Sequence, residues 1–403
     1  MKPIEFPIMS WYGPNRDRFT RKSMGHLAEA GFNLAYVILR RDQIEEALDI
    51  ARDVGVRLLI GMEDTTIWRT PGCVDGAWLD RLRDTIRRAS RHPAFHGHMI
   101  SDEPMRMMFE DVGRAWQVCH ELDPDHMFYV NHWAVGQTYQ GARSYEELWE
   151  SLYALASFDL VSADNYPVKP VTDEELLAHA GAPDYFPSHK ARLYPHFFEM
   201  LDLQRQYARQ WRKPLWAFTL ARGEVSPETA EGEMRFQLMC GLAYGAVGLQ
   251  YFSYEHERML MEDDGSPGLN WPVARKLNRL LATWGRVFTG LRSIGVYHHP
   301  PDFPYTRPLD QFLLGAPTDM FARGAPIVVG HFLDAAGMEY AFIVNRNPFE
   351  SAVSVYSFGT TSVEECSPSD ATWSPTVLRD GTKAELGFAP GEGRLFRFRR
   401  DIR

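Results

Sequence analysis

Two adjacent carboxylates, Asp102 and Glu103, followed at once by Pro104, close the short apolar run that begins at Phe95. Proline has no N–H to give a β ladder, so a strand through this segment stops there and leaves both carboxylates at its C-terminal rim. Paired carboxylates suit acid–base work, in which one delivers a proton while the other holds charge or activates water. In a barrel of alternating strands and helices, that rim is where catalytic groups sit. An acidic helix N-terminus would use the same residue types without any chemistry.

The residues just past the other apolar runs extend the pattern. They are Trp11-Tyr12, Arg40-Arg41, Glu63-Asp64, Asn131-His132-Trp133, Asp164-Asn165-Tyr166, Arg222 with Glu224, and Ser253-Tyr254-Glu255. No His/Cys cluster at metal spacing joins them, so neither a metal nor another cofactor is expected. No glycine-rich turn offers a phosphate cradle. His96 and His98 alternate along one run and so are read as sharing a face, as interior packing rather than ligation. A rim of carboxylates, amides and aromatic rings suits a neutral, polyhydroxylated ligand. For Arg40 and Arg222, substrate contact competes with rim salt bridges. For Trp11, Tyr12 and Trp133, a sugar platform competes with loop packing.

Periodicity supplies the elements that must position these residues. Strands are expected at Phe6–Tyr12, Phe32–Leu39, Val56–Met62, the run ending at Asp102, His126–Asn131, Leu160–Asp164, Pro214–Thr219 and Val247–Phe252. Amphipathic helices fall between them, among them Arg16–Ala30, Gln43–Val54 and Ala77–Ser90. Eight such units match a (β/α)8 TIM barrel spanning residues 1–293. An open doubly wound sheet is the rival, but no glycine-rich turn follows the first strand. Two connections are long: Trp133 to Ser144, and Tyr166 to Lys190, which holds four prolines. Their aromatic content points to loops that shape a site. A Pro-rich linker is expected over 294–314. From 315 to 403, strands such as Ile327–Leu333, Tyr340–Asn345, Ser351–Ser357 and Arg394–Arg399 alternate with turns, as in a small all-β sandwich.

Composition sets the class. With 403 residues, the chain exceeds what one core usually supports, and a barrel with an appended module fits. A net charge of -10 argues against nucleic acid and anionic membranes, because no basic stripe is present to neutralise phosphate. Cys73, Cys119, Cys240 and Cys366 include no CxxC pair and read as free thiols. No leader or membrane span is visible, so a cytoplasmic protein is expected, or a secreted or periplasmic one if a leader has been removed. A carbohydrate is the expected partner, and self-association is left open.

The segment His92-Pro93, Gly97 and Ser101-Asp102-Glu103-Pro104 resembles the "HPA…GY…DEP" fourth-strand motif of β-galactosidase-like and uncharacterised (β/α)8 glycoside hydrolases. Asp159 through Pro167 (DLVSADNYP) is similar to their sixth-strand motif. Lys213-Pro214-Leu215-Trp216, Glu233-Met234-Arg235, Gly245-Ala246-Val247-Gly248, Tyr251-Phe252-Ser253-Tyr254 and Gly295-Val296-Tyr297-His298 resemble their later segments. The likeness covers nearly the whole chain and says little about substrate. It implies a glycosidase with a C-terminal β-sandwich, in which Glu103 protonates the departing oxygen. The strand-end reading sets beside it an expected carbohydrate-contacting rim comprising Trp11, Tyr12, Arg40, Asp102, Asn131, His132, Trp133, Tyr166, Arg222 and Tyr254.

One departure matters. Retaining members place Asn before this Glu and a nucleophilic Glu at the end of strand seven. Here the preceding residue is Asp102, and strand seven runs into Thr219-Leu220-Ala221-Arg222. Asp164 is the first choice for the second catalytic carboxylate, with Glu255 and Glu63 as alternatives. Asp164 as a structural aspartate beside Tyr166-Pro167 is the competing reading. Retention needs carboxyls ~5–5.5 Å apart, and inversion ~6.5–9.5 Å. The missing nucleophile tilts the reading toward inversion. It also leaves a second hypothesis, a carbohydrate-binding barrel that has lost catalysis.

Overall fold

The computed structural model describes residues 4–67, 70–135, 139–309, 322–324, 326–357, 362–379 and 383–398. By its contacts the chain forms two compact units. The first comprises Met1–Asn165, Gln206–Trp216 and Gln250–Asn278, and the second Tyr166–Arg205, Ala217–Leu249 and Arg279–Arg403.

The first unit opens with strictly alternating elements. These are β1 Ile8–Ser10, α1 Arg21–Glu29, β2 Leu34–Leu39, α2 Ile44–Val54, β3 Arg57–Met62, α3 Gly76–Ala89, β4 Phe95–Asp102, α4 Phe109–Leu122, β5 Met127–Asn131 and α5 Tyr145–Leu155. Side-chain caps explain where helices start: Thr20, Asp75 and Ser144 each accept an orphan backbone N–H at the head of α1, α3 and α5. Helix α2 ends where Gly55 turns left-handed, at φ +81°. Its buried residues, Ile44, Ala47, Leu48 and Ala51, recur at helical spacing along one face. Strands β2 and β3 are near-continuous apolar runs because they are covered on both sides.

The parallel sheet has the order β5-β4-β3-β2-β1-β10-β9, where β9 is Trp216–Leu220 and β10 is Gly248–Phe252. The sixth barrel strand enters through two isolated parallel bridges. Ala163 pairs with His132 just past β5, and Val161 pairs with Leu215 just before β9. The ring thereby closes as the (β/α)8 barrel that the periodicity predicts.

Strand β4 is irregular in two places. Its pairing with β3 slips between Phe95 and Gly97, and its pairing with β5 slips between Met99 and Ser101. The first slip undoes the expectation that His96 and His98 share a face. His96 stacks on Trp216 at 6.2 Å, whereas His98 bonds Asp123, the residue that ends α4, at 2.8 Å. A bulge inserts one residue and reverses the alternation after it. Gly97 is required at this slip, since a Cβ there would lie 2.3 Å from the Met127 carbonyl oxygen.

The second unit begins in the long connection after Asn165, which is folded rather than a bare loop. It holds β6 Val168–Pro170, α6 Asp173–Ala178, β7 Tyr185–Phe186 and β8 Ala191–Leu193, with the strands in a small antiparallel sheet of order β6-β8-β7. Proline-broken runs of two or three residues leave too short a period to announce strands. Helix α7 His196–Trp211 follows and is divided between the units at Gln206, α8 Ala230–Ala243 belongs to the second, and α9 Trp271–Phe288 is divided after Asn278.

The remaining strands are β11 Arg292–His299, β12 Ala322–Gly324, β13 Ile327–Leu333, β14 Glu339–Asn345, β15 Ala352–Ser357, β16 Val363–Cys366, β17 Trp373–Pro375, β18 Lys383–Phe388 and β19 Gly393–Phe398. They form one sheet of order β11-β13-β14-β19-β16-β17 and another of order β12-β15-β18. Ile327, Val329, Ile343, Val363 and Phe396 from the first share a core with Ala384, Leu386 and Phe388 from the second, so the module is a sandwich. The start of the segment expected to be a linker, 294–314, is strand as far as His299, paired antiparallel with β13. Alternately buried Val296 and His298 explain this. The expected boundary at 315 lies outside the described residues.

Helix α8 lies tightly on β13: a Cβ at Gly330 would meet the Ala243 carbonyl oxygen at 2.4 Å. Backbone cannot yield as a flexible side chain does. Gly330→Ala is therefore expected to cost about 1–3 kcal/mol, as overpacking does, measured as a lower midpoint in urea at unchanged slope.

Candidate active site

The second slip in β4 sets Asp102 opposite Asn131 at the C-terminal end of β5. Glu103 follows with its backbone N–H on the Asn131 carbonyl oxygen at 3.0 Å, and with φ +46°. A left-handed backbone at a residue other than glycine is strained, and such strain concentrates at functional positions. Pro104 holds the turn through its carbonyl oxygen, which accepts the Trp133 indole N–H at 3.0 Å. At the end of β1, Tyr12 is also left-handed, at φ +49°.

Beneath these residues a chain of side-chain hydrogen bonds runs through the barrel interior. Trp11 Nε1 and Tyr129 OH both donate to Gln250 Oε1, at 2.9 and 2.7 Å. Gln250 Nε2 donates to Ser162 Oγ at 2.9 Å, and Ser162 Oγ donates to Asn131 Oδ1 at 2.9 Å. Asn131 Nδ2 then donates to Asp102 Oδ1 at 3.1 Å and to Asp164 Oδ1 at 2.8 Å. The two aspartate oxygens are accordingly no farther apart than about 5.9 Å, the sum of those bonds.

Tyr12 reports the charge at this rim. Burial pushes its phenol well above the usual tyrosine range, and Asp102, Asp164 and Glu103 push it further the same way. It therefore stays protonated, a fixed donor facing three carboxylates. Tyr36 and Tyr129 are raised in the same direction, by full burial first and with Asp102 contributing to both. The Tyr36 hydroxyl is buried and has no hydrogen-bond partner among the described residues.

The sequence-predicted residues divide accordingly. Asp102, Glu103, Asp164, Tyr12 and Trp133 come together at the rim. Asn131 belongs with them but is 1% exposed, beneath the carboxylates rather than open to a ligand. Trp11 is an interior residue, held edge-on by Tyr36 at 5.0 Å, and presents no open platform. His132 faces outward because strand alternation opposes it to Asn131. It stacks on Trp149 at 4.5 Å, and burial drives its pKa down to about 3. Tyr254 is likewise buried, packed edge-on against Phe32 at 5.9 Å.

The charged candidates are engaged in ion pairs. Glu63 bonds Arg16 at 2.6 Å. Glu255 takes the Asn15 N–H at 2.9 Å and Arg18 at 3.1 Å. Arg40 bonds Asp17 at 2.6 Å. In the second unit, Arg222 bonds Glu224 at 3.2 Å, and Tyr166 is half-buried. Also in that unit, Glu233 binds the backbone N–H groups of Glu224 and Val225, and Arg235 binds the Pro390 carbonyl, so this motif serves structure.

Tyr36, Tyr129, Ser162 and Gln250 are the additions. Spacing held a signal for two of them, since Tyr129 is two residues before Asn131 and Ser162 two before Asp164, hence on the same faces. Among the described residues no group of three or more His, Cys, Asp or Glu side chains is placed to hold a metal ion.

No protein-family model and no curated protein sequence matches this chain. Its fold, in contrast, has solved counterparts. A family 5 glycoside hydrolase from Bacteroides vulgatus aligns at TM-score 0.54 and 11% identity, over 97% of this chain and 89% of that one. A family 39 glycoside hydrolase from Bacteroides cellulosilyticus aligns at TM-score 0.52 and 10% identity, over 97% and 81%. A putative alpha-galactosidase/melibiase from Bacteroides fragilis aligns at 0.51 and 12%, over 98% and 79%. The chain has a (β/α)8 barrel followed by a C-terminal β-sandwich, and its fold is similar to that of these proteins.

Proposed function

We propose that this chain hydrolyses glycosidic bonds, with Glu103 as general acid and Asp164 as its partner carboxylate. The observation that carries this is the gathering of three carboxylate residues about Asn131 at the barrel rim: Asp102 and Asp164 on its side-chain amide, and Glu103 on its backbone carbonyl. Glu103 protonates the departing oxygen while Asp164 takes a proton from the attacking water. Tyr12, fixed as a donor, hydrogen-bonds the oxygen-rich ligand or the carboxylate charge between them. The substrate is a neutral glycan: Arg16, Arg18, Arg40 and Arg41 are each paired with a carboxylate and so do not offer themselves to an acidic sugar. In this reading residues 1–293 form the catalytic barrel, and the β-sandwich carries no chemistry. No described helix is long and apolar enough to cross a membrane.

A second reading, a carbohydrate-binding barrel without catalysis, is favoured by one observation. Strand β9 ends in Thr219-Leu220, with no carboxylate at the usual nucleophile position.

Two substitutions separate these readings. Glu103→Gln is expected to fold normally and to lose about 10²–10⁴-fold in turnover on an unactivated glycoside, with aryl glycosides bearing good leaving groups partly spared. Near-full activity on the unactivated substrate would remove Glu103 from the mechanism. Asp164→Asn is expected to abolish hydrolysis with little change in thermal unfolding. NMR of the wild-type product should show inverted anomeric configuration at the first turnover; a retained anomer would make Asp164 a nucleophile instead. If the wild type binds oligosaccharides but cleaves none of a broad panel, the binding reading replaces catalysis.

A further inference from the structure

One polar group inside the barrel can act in only one sense. The Trp11 indole N–H donates and cannot accept, so the Gln250 atom that meets it at 2.9 Å is the amide oxygen. The Gln250 nitrogen is thereby turned to Ser162 and donates to its Oγ at 2.9 Å. Ser162 Oγ has a hydrogen of its own, which reaches Asn131 Oδ1 at 2.9 Å. With its oxygen engaged from below, Asn131 turns its NH2 group to the rim, where it meets Asp164 Oδ1 at 2.8 Å and Asp102 Oδ1 at 3.1 Å. Reversing the Gln250 amide would set its nitrogen against the indole donor. The orientation of one amide therefore fixes that of the other.

Tyr129 plays a different part. Its hydroxyl lies 2.7 Å from Gln250 Oε1 and 2.8 Å from Ser162 Oγ, and a hydroxyl serves as donor or acceptor. It adapts to the direction of the chain and does not set it. Trp11, Ser162 and Gln250 are all buried, so bulk solvent does not compete for these bonds.

We propose that Gln250 is a positioning residue for the candidate active site, passing the fixed sense of the Trp11 indole through Ser162 to Asn131 and so presenting an N–H donor to Asp164. Gln250 acts through two intervening side chains. Whatever else Asp164 and Asp102 meet, the oxygens that face Asn131 are acceptors and carry no proton. The effect on turnover rests on the hydrolase reading, in which Asp164 takes a proton from water; the orientation of the amides does not.

Protein labelled with ¹⁵N at asparagine, free of ligand, would be compared as wild type, Gln250→Met, Ser162→Ala and Tyr129→Phe, with Asn131→Ala locating the Asn131 side-chain resonances. Thermal unfolding and kcat/KM would be measured on each. Gln250→Met and Ser162→Ala should both release the Asn131 amide. Its hydrogens should exchange with water about tenfold faster, the scale of one lost hydrogen bond, and kcat/KM should fall by a similar factor. The double variant should lose no more than the larger single one, because one interruption already breaks the line. Tyr129→Phe removes two bonds from the same interior and should lower thermal stability comparably. It should nevertheless leave Asn131 exchange near that of the wild type and cost less activity than either of the others.

An Asn131 amide unaltered in Gln250→Met, one released equally by Tyr129→Phe, or additive losses in the double variant would overturn the proposal. Ser162→Ala against Tyr129→Phe carries the measurement if Gln250→Met does not fold. A wild type that cleaves no glycoside, with an Asn131 amide that responds as expected, would remove the hydrolase reading and leave the positioning role in place.

Discussion

The amide of Asn131 is the contact on which the rest of the site depends. One side-chain nitrogen serves two carboxylates at 3.1 and 2.8 Å, and its oxygen is held by Ser162 at 2.9 Å. Charge-assisted bonds of this kind are worth roughly 1.5–3 kcal/mol each. Removing any one member strands another in a buried place, so Gln250, Ser162, Tyr129 and Trp11 form a set rather than four separate preferences. An apolar filling would pack the barrel equally well, but it could not tell the Asn131 amide which way to face.

The irregularities of β4 serve the same end. A regular strand from Met99 would carry its alternation straight to the rim. The slip between Met99 and Ser101 instead pairs Asp102 with Asn131. Glu103 then leaves the strand with a left-handed backbone, and the Trp133 indole holds the carbonyl of Pro104. The strain at Glu103 is offset locally, by its own N–H on Asn131 and by this indole contact. Bulges next to a reaction centre commonly re-aim side chains, and here the re-aimed residue is one half of the aspartate pair.

Much of this was legible in the chain. Apolar runs alternating with helical periods specify the barrel, and Pro104 marks the end of β4. The carboxylate ends of the fourth and sixth strands carry the residues that meet at the rim. The misreadings share a cause. Which face a strand residue takes depends on register, and register depends on bulges that single residues do not announce. So His96 and His98 part company, and Trp11 turns inward to Gln250 instead of out to solvent. His132 was misplaced although its alternation with Asn131 was readable. Arg40, Glu63 and Glu255 required knowledge of long-range ion partners, which spacing cannot supply. The strands around Lys190 were too short to show a period.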